Sequence, residues 1–148
     1  IKITGRTASC INTFGEELMV HNTDLAISRS CEKYNCLINN YTVAPIFIDT
    51  NSAKHQFLIE FHKEPNNLNH FIKEIDNQLK KINSDYETKR ENNLILKSPE
   101  LINLKNNEFY IWLKEKNKLG GQHKIPKLSE NRKIADRIIS IKRSFQQK

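Results

Sequence analysis

Six apolar side chains, Leu68, Phe71, Ile72, Ile75, Leu79 and Ile82, recur at three- and four-residue spacing. That spacing places them along one side of an α-helix. A helix with such a stripe gains most of its stability from packing, so the chain must supply a surface to cover it. The whole run NNLNHFIKEIDNQLKKINSDYETKR, residues 66–90, reads as one helix carrying this stripe.

The partner surface precedes it. YTVAPIFI (residues 41–48) and HQFLIEFH (55–62) are rich in β-branched and aromatic residues. DTNSAK between them supplies turn chemistry, so the two read as an antiparallel pair. Pro45 has no amide proton, which places its strand at a sheet edge or at a bulge. Upstream, IKIT and CINTFG read as a short hairpin closed by Gly15. Asn22 or Thr23 caps a helix running to about Asn35, with Ala26, Ile27, Cys31 and Tyr34 on one side. Downstream, NLILKS (93–98) reads as a strand ending at Pro99. EFYIWLKEKNK (108–118) reads as a helix with Phe109, Trp112 and Leu113 on one side and Gly120 just past its end. Ser129 is the expected N-cap of a last helix that turns Ile134, Ile138 and Ile141 inward. The order is β-β-α-β-β-α-β-α-α, an α+β chain of 148 residues with no repeat and no dividing linker.

Composition narrows the function classes. With 37% hydrophobic and 28% charged residues the chain belongs with globular domains, and no apolar run is long enough to span a membrane. Nothing resembles a signal peptide. The chain opens at Ile1 directly in a strand-like pattern, which points to a piece of a longer protein. The three cysteines, Cys10, Cys31 and Cys36, have neither zinc spacing nor an even count, which fits small buried side chains in a reducing cytoplasm. The five histidines form no HxxH pattern, so no metal site is expected.

Charge is lopsided. Residues 1–74 hold 7 Lys and Arg against 8 Asp and Glu, while residues 75–148 hold 17 against 9. A basic half suits a nucleic-acid or phosphate partner, and it equally suits solvated lysines on helix faces. No aromatic RNA-binding signature accompanies it.

Two segments offer chemistry. Arg6 sits in the glycine turn TGRT, where a guanidinium can reach a phosphate or a ribose. GGQHKIPKL (120–128) places Gly120 and Gly121 before Lys124 and Lys127. Paired glycines allow a close approach of backbone to ligand, and each lysine offers a point charge to a phosphate. The same residues also fit a helix end followed by a solvated loop. The Walker pattern GxxxxGK[ST] is absent.

TGRTASCINTFGEEL resembles the hinge motif that opens the C-terminal domain of adenylate-forming enzymes, with Gly5, Arg6, Ile11 and Gly15 in register. INTFGEEL, KHQFLIEF, NSDYETKR and FYIWLKEKNKLGGQHKIPKLSENRKI resemble bacterial members of the Gretchen Hagen family of acyl acid amido synthetases more closely, and GQHKIPK is similar to a Gln-aromatic-Lys-x-Pro-Arg segment of its plant members. The resemblance covers essentially the whole chain. It implies an α+β fold, a small mixed sheet flanked by helices, that acts as the mobile C-terminal domain of a two-domain ligase. ATP and Mg2+ would serve the full-length enzyme, with a carboxylic acid and an amino acid as substrates. The partner is its own N-terminal domain, with no nucleic acid and no membrane. On this resemblance Lys124 is the catalytic lysine, Arg6 and Lys127 contact the nucleotide, and Gly120 and Gly121 shape the loop. The chain departs from the hinge pattern where the superfamily has an acidic pair, here Ala8 and Ser9, and a lysine, here Asn12. The family's arginine after proline is Lys127. A freestanding nucleic-acid-binding module and a non-catalytic interaction domain are the alternatives.

Overall fold

A computed structural model describes residues 10–117 and 124–146. Its centre is a long hairpin. β3 (Leu37–Asp49) and β4 (Ser52–Lys63) pair antiparallel, with Tyr41 opposite Ile59 and Val43 opposite Phe57. Asp49 builds the turn, since its Oδ1 accepts from the Asn51 amide at 2.7 Å and from Ser52 Oγ at 3.0 Å. β5 (Glu100–Asn103) joins β4 in parallel, giving a mixed three-stranded sheet in the order β3-β4-β5. Pro45 lies opposite His55 on β3, which is an edge strand as its proline requires. The bulges of β3 fall elsewhere, near its two ends.

Helices cover both faces. Side chains alternate along β4, so Ala53, Phe57 and Ile59 enter one core while Leu58 enters another. α1 (Val20–Tyr34), α2 (Leu68–Ile82) and α3 (Ser84–Arg90) enclose the first core around Ile27, Phe71, Ile75, Leu79 and Tyr86. α4 (Glu108–Asn117) and α5 (Lys133–Gln146) enclose the second around Phe109, Trp112, Ile138 and Ile141. The stripe on α2 is thus core, and the α+β fold with a small mixed sheet flanked by helices is present.

Five expectations shift. The stretch read as one helix over residues 66–90 is two helices, because Asn83 leaves helical geometry (φ −127°, ψ 106°) and its Oδ1 caps α3 by accepting from the Tyr86 amide at 2.9 Å. NLILKS is not a strand; Leu96 alone bridges Ala53, and the strand forms after Pro99. Ser129 does not cap α5; its amide donates to Val43 O at 3.0 Å, and Asn131 Oδ1 accepts from the Lys133 amide at 3.0 Å. α1 begins at Val20, with Asn22 capping from inside its first turn by accepting from the Met19 amide at 2.9 Å. The hairpin partner of β1 (Cys10–Ile11) is β2 (Leu18–Met19), while IKIT lies outside the described residues.

Candidate functional site

The segment that carries Lys124 and Lys127 returns to the open edge of β3. Val43 N donates to Lys127 O at 2.8 Å, and the Ser129 amide donates to Val43 O at 3.0 Å. Leu128 forms a parallel bridge with Val43 between these bonds. Thr42 Oγ1 donates to Pro126 O at 2.6 Å, in the place where proline can offer only a carbonyl. Pro126 therefore costs the bridge nothing, since its own nitrogen is not called upon.

The two lysines of this segment differ. Lys127 Nζ lies 3.0 Å from Asp24 Oδ1 and 3.1 Å from Oδ2, and 5.6 Å from the centre of the Tyr41 ring. Tyr41 OH donates to the same Asp24 Oδ1 at 2.6 Å, and Thr23 Oγ1 is 2.8 Å from that hydroxyl. Burial, and then the bond to Asp24, push the Tyr41 phenol up, so it stays a donor at neutral pH. Lys127 and Asp24 are 47% and 44% exposed, which limits their pairing to about 0–1 kcal/mol. Lys124 is exposed, and no hydrogen bond or ion pair among the described residues engages it. Two residues separate the lysines, so their Cα atoms are at most about 11 Å apart.

A cavity of about 350 Å³ opens beside them between α1 and the start of β3, with Ile27, Cys31, Cys36, Ile125 and Lys127 among its walls. Burial, with a hydrogen bond to Cys36 added, pushes the Cys31 thiol up to about 12. It is a neutral wall group at physiological pH rather than a nucleophile.

Two further ionisable groups lie deep and serve the frame. Glu16 is fully buried; its Oε1 accepts from the Phe14 amide at 2.8 Å, and Oε2 accepts from Thr13 Oγ1 at 2.6 Å. His55 Nε2 is 2.9 Å from Oε2. Burial works to raise the Glu16 carboxyl, yet these hydrogen bonds outweigh it and hold the group down to about 2. An ionised carboxylate only accepts, so Nε2 of His55 carries the proton. The His55 ring stacks on Tyr86, with ring centres 5.8 Å apart. Asp76, Tyr86 and Arg90 form the second network, described in the Discussion. Both networks are buried.

Of the residues singled out by sequence, the structure brings Lys124 and Lys127 onto one anchored segment. Arg6, Gly120 and Gly121 lie outside the described residues. Asp24, Thr23, Tyr41 and Thr42 were not foreseen. A pairing across 103 residues leaves no local pattern, although Thr42 and Tyr41 sit in the strand run already recognised. Among the described residues Lys124 has no partner to compete with a phosphate, whereas Lys127 already shares its charge with Asp24. Among the described residues no three His, Cys, Asp or Glu side chains gather as metal ligands.

The family model described as the GH3 family C-terminal domain matches residues 21–133, which takes in the hairpin, α1 to α4 and the anchored segment. The chain belongs to the GH3 family. Two solved structures share the fold of this GH3 domain. One is "GH3.15 acyl acid amido synthetase", with a TM-score of 0.70 and 14% identity over 89% of this chain and 25% of that one. The other is "AtGH3.15 acyl acid amido synthetase in complex with 2,4-DB", with a TM-score of 0.72 and 13% identity over the same shares. The chain thus spans about a quarter of their length. No curated protein matches it. No helix among the described residues is long and apolar enough to cross a membrane.

Proposed function

We propose that this GH3 domain is the C-terminal part of an ATP-dependent acyl acid amido synthetase. The full-length enzyme would activate a carboxylic acid as its adenylate, releasing pyrophosphate, and then pass the acyl group to the amine of an amino acid. The N-terminal domain would hold ATP, Mg2+ and the acid, and this domain would be silent without it. The observation that carries the reading is Lys124, an exposed cation with no hydrogen bond or ion pair among the described residues, a few residues before a segment fixed to β3. Adenylation builds negative charge on the α-phosphate and on the attacking carboxylate. An ammonium on a flexible stem can meet that charge as it develops. Uncommitted charge matters here, because a lysine already paired would offer less in the transition state than in solution.

The test is pyrophosphate exchange in the full-length enzyme with a suitable acid. Lys124→Ala should slow exchange by about 10²–10³-fold while ATP binding changes much less. Exchange near the wild-type rate would sink the lysine assignment.

A further inference from the structure

The anchored segment has two polar attachments, and they point in different directions. The first runs along β3, where Thr42 and Val43 hold the backbone of Pro126, Lys127 and Ser129. All of these bonds lie on one strand edge, and Leu128 in the first core and Ile125 against the second hold the side chains beside it. The second attachment lies off that line. Lys127 reaches across to Asp24 on α1, and Asp24 is itself held by Tyr41 of β3. A second attachment off that line biases the segment's orientation, where the first alone sets its position.

From this we infer that Asp24 is a positioning residue for Lys124, acting through Lys127. Lys127 is a strut in this arrangement and not a nucleotide contact. The inference rests on the reading of Lys124 as the cation that serves adenylation. Three observations carry it. Two Asp24 oxygens lie within bonding distance of Lys127 Nζ, and the Tyr41 ring covers another side of the ammonium, so a phosphate would have to displace an existing set of partners. The carboxylate that holds Lys127 is not a free surface group, because Tyr41 OH fixes its Oδ1 at 2.6 Å. Ile125, between the two lysines, is half-buried and packs against the second core, while Lys124 beside it is exposed. Lys124 thus stands on the solvent side of its half-buried neighbour, next to the residues that anchor the segment.

A strut and a nucleotide contact give different kinetics. In the full-length enzyme, pyrophosphate exchange is measured against ATP for Asp24→Asn, Lys127→Ala, the double variant and Lys124→Ala. As a positioning pair, Asp24 and Lys127 should each lower kcat by about three- to tenfold and leave KM for ATP within about twofold. The double variant should be no slower than the worse single one, because the two act as a unit. Asp24→Glu, which keeps the charge one methylene farther out, should recover part of the rate. The inference is overturned if Lys127→Ala raises KM for ATP at unchanged kcat, since Lys127 then binds nucleotide. It is equally overturned if the two losses multiply, or if both variants run at the wild-type rate. A Lys124→Ala enzyme with full activity would instead remove the underlying assignment. A Lys124→Ala enzyme that is dead beside unaffected Asp24→Asn and Lys127→Ala enzymes would remove only the strut.

Discussion

Asp76 and Asp24 hold the same kinds of partner in different surroundings. Asp76 accepts from Arg90 Nε at 2.9 Å, from Arg90 Nη2 at 2.6 Å and from Tyr86 OH at 2.6 Å. Asp24 accepts from Lys127 Nζ and from Tyr41 OH. The first group joins α2 to α3 with side chains 9% and 6% exposed; the second joins α1 to the 124–129 segment with side chains nearly half exposed. Burial changes what each grouping can do. In a low-dielectric surrounding each charge depends on its partner, so the set is held or lost as a whole. At a surface, water stands ready to replace either partner, so the pair sets a preference and not a fixed frame. One domain thus carries a rigid carboxylate–tyrosine–cation group in its frame and an exchangeable one beside its candidate catalytic lysine.

The sharpest break in that comparison comes from removing Asp76. Asp76→Ala leaves the Arg90 guanidinium buried without its counter-charge and frees the Tyr86 hydroxyl from its acceptor. The expected loss of unfolding free energy is about 3–5 kcal/mol, read by equilibrium urea unfolding. Arg90 also donates to Asn93 Oδ1 and to Leu96 O, so the crossing from α3 toward β5 should loosen with it. A loss under about 1 kcal/mol would show that burial does not distinguish the two groups.

Glu16 extends the buried side of the comparison to a measurable pH range. Its carboxyl is held at about 2, below its ordinary value of 4.5. A depressed carboxyl stabilises the fold above the unfolded value, and the contribution is lost as pH falls toward the folded one. The loss should run from about pH 4.5 down to about pH 2 and amount to about 2–3 kcal/mol. Other depressed carboxyls, Asp76 and Glu100 among them, titrate in the same direction, so the measured quantity is the difference between wild type and Glu16→Gln. Equal acid limbs for the two proteins would exclude Glu16 as the cause. Asn83 Nδ2 donates to Glu16 O at 3.0 Å, which ties this network to the junction of α2 and α3.

Legibility in the sequence follows the same division. The α2 stripe, the β3–β4 hairpin and the helical faces around Trp112 and Ile138 repeat at local spacings, and all of them formed. The break at Asn83 was hidden because Tyr86 continues the spacing of Ile82, so the stripe runs on after the helix has ended. The strand expected at 93–98 moved to residues 100–103, since Pro99 was read as a terminator and it precedes the strand. Two buried ionic residues did leave a trace. His55 alternates with Ala53, Phe57 and Ile59 on a core-facing side, and Asp76 lies four residues after Ile72 on the buried side of α2. Polar residues at core-facing positions signal a buried partner, although not which one. Lys124 and Lys127 were legible as candidates through family resemblance. Their difference was not, because Asp24 is remote in sequence and nothing near it marks it as a lysine's partner.

The smallest expected effect completes the comparison from its exposed side. Asp24→Ala and Lys127→Ala should each cost less than about 1 kcal/mol of unfolding free energy, and less still in high salt, where an exposed pair is screened. The same urea titration used for Asp76→Ala reads it. A loss near that of Asp76→Ala would mean that Tyr41 and Thr23 shield the pair from water, and the 124–129 segment would then be as fixed as the frame. A small loss has a further consequence for function. Any slowing of adenylation by these two variants could not be ascribed to unfolding, and with KM for ATP unchanged it would report the orientation of Lys124.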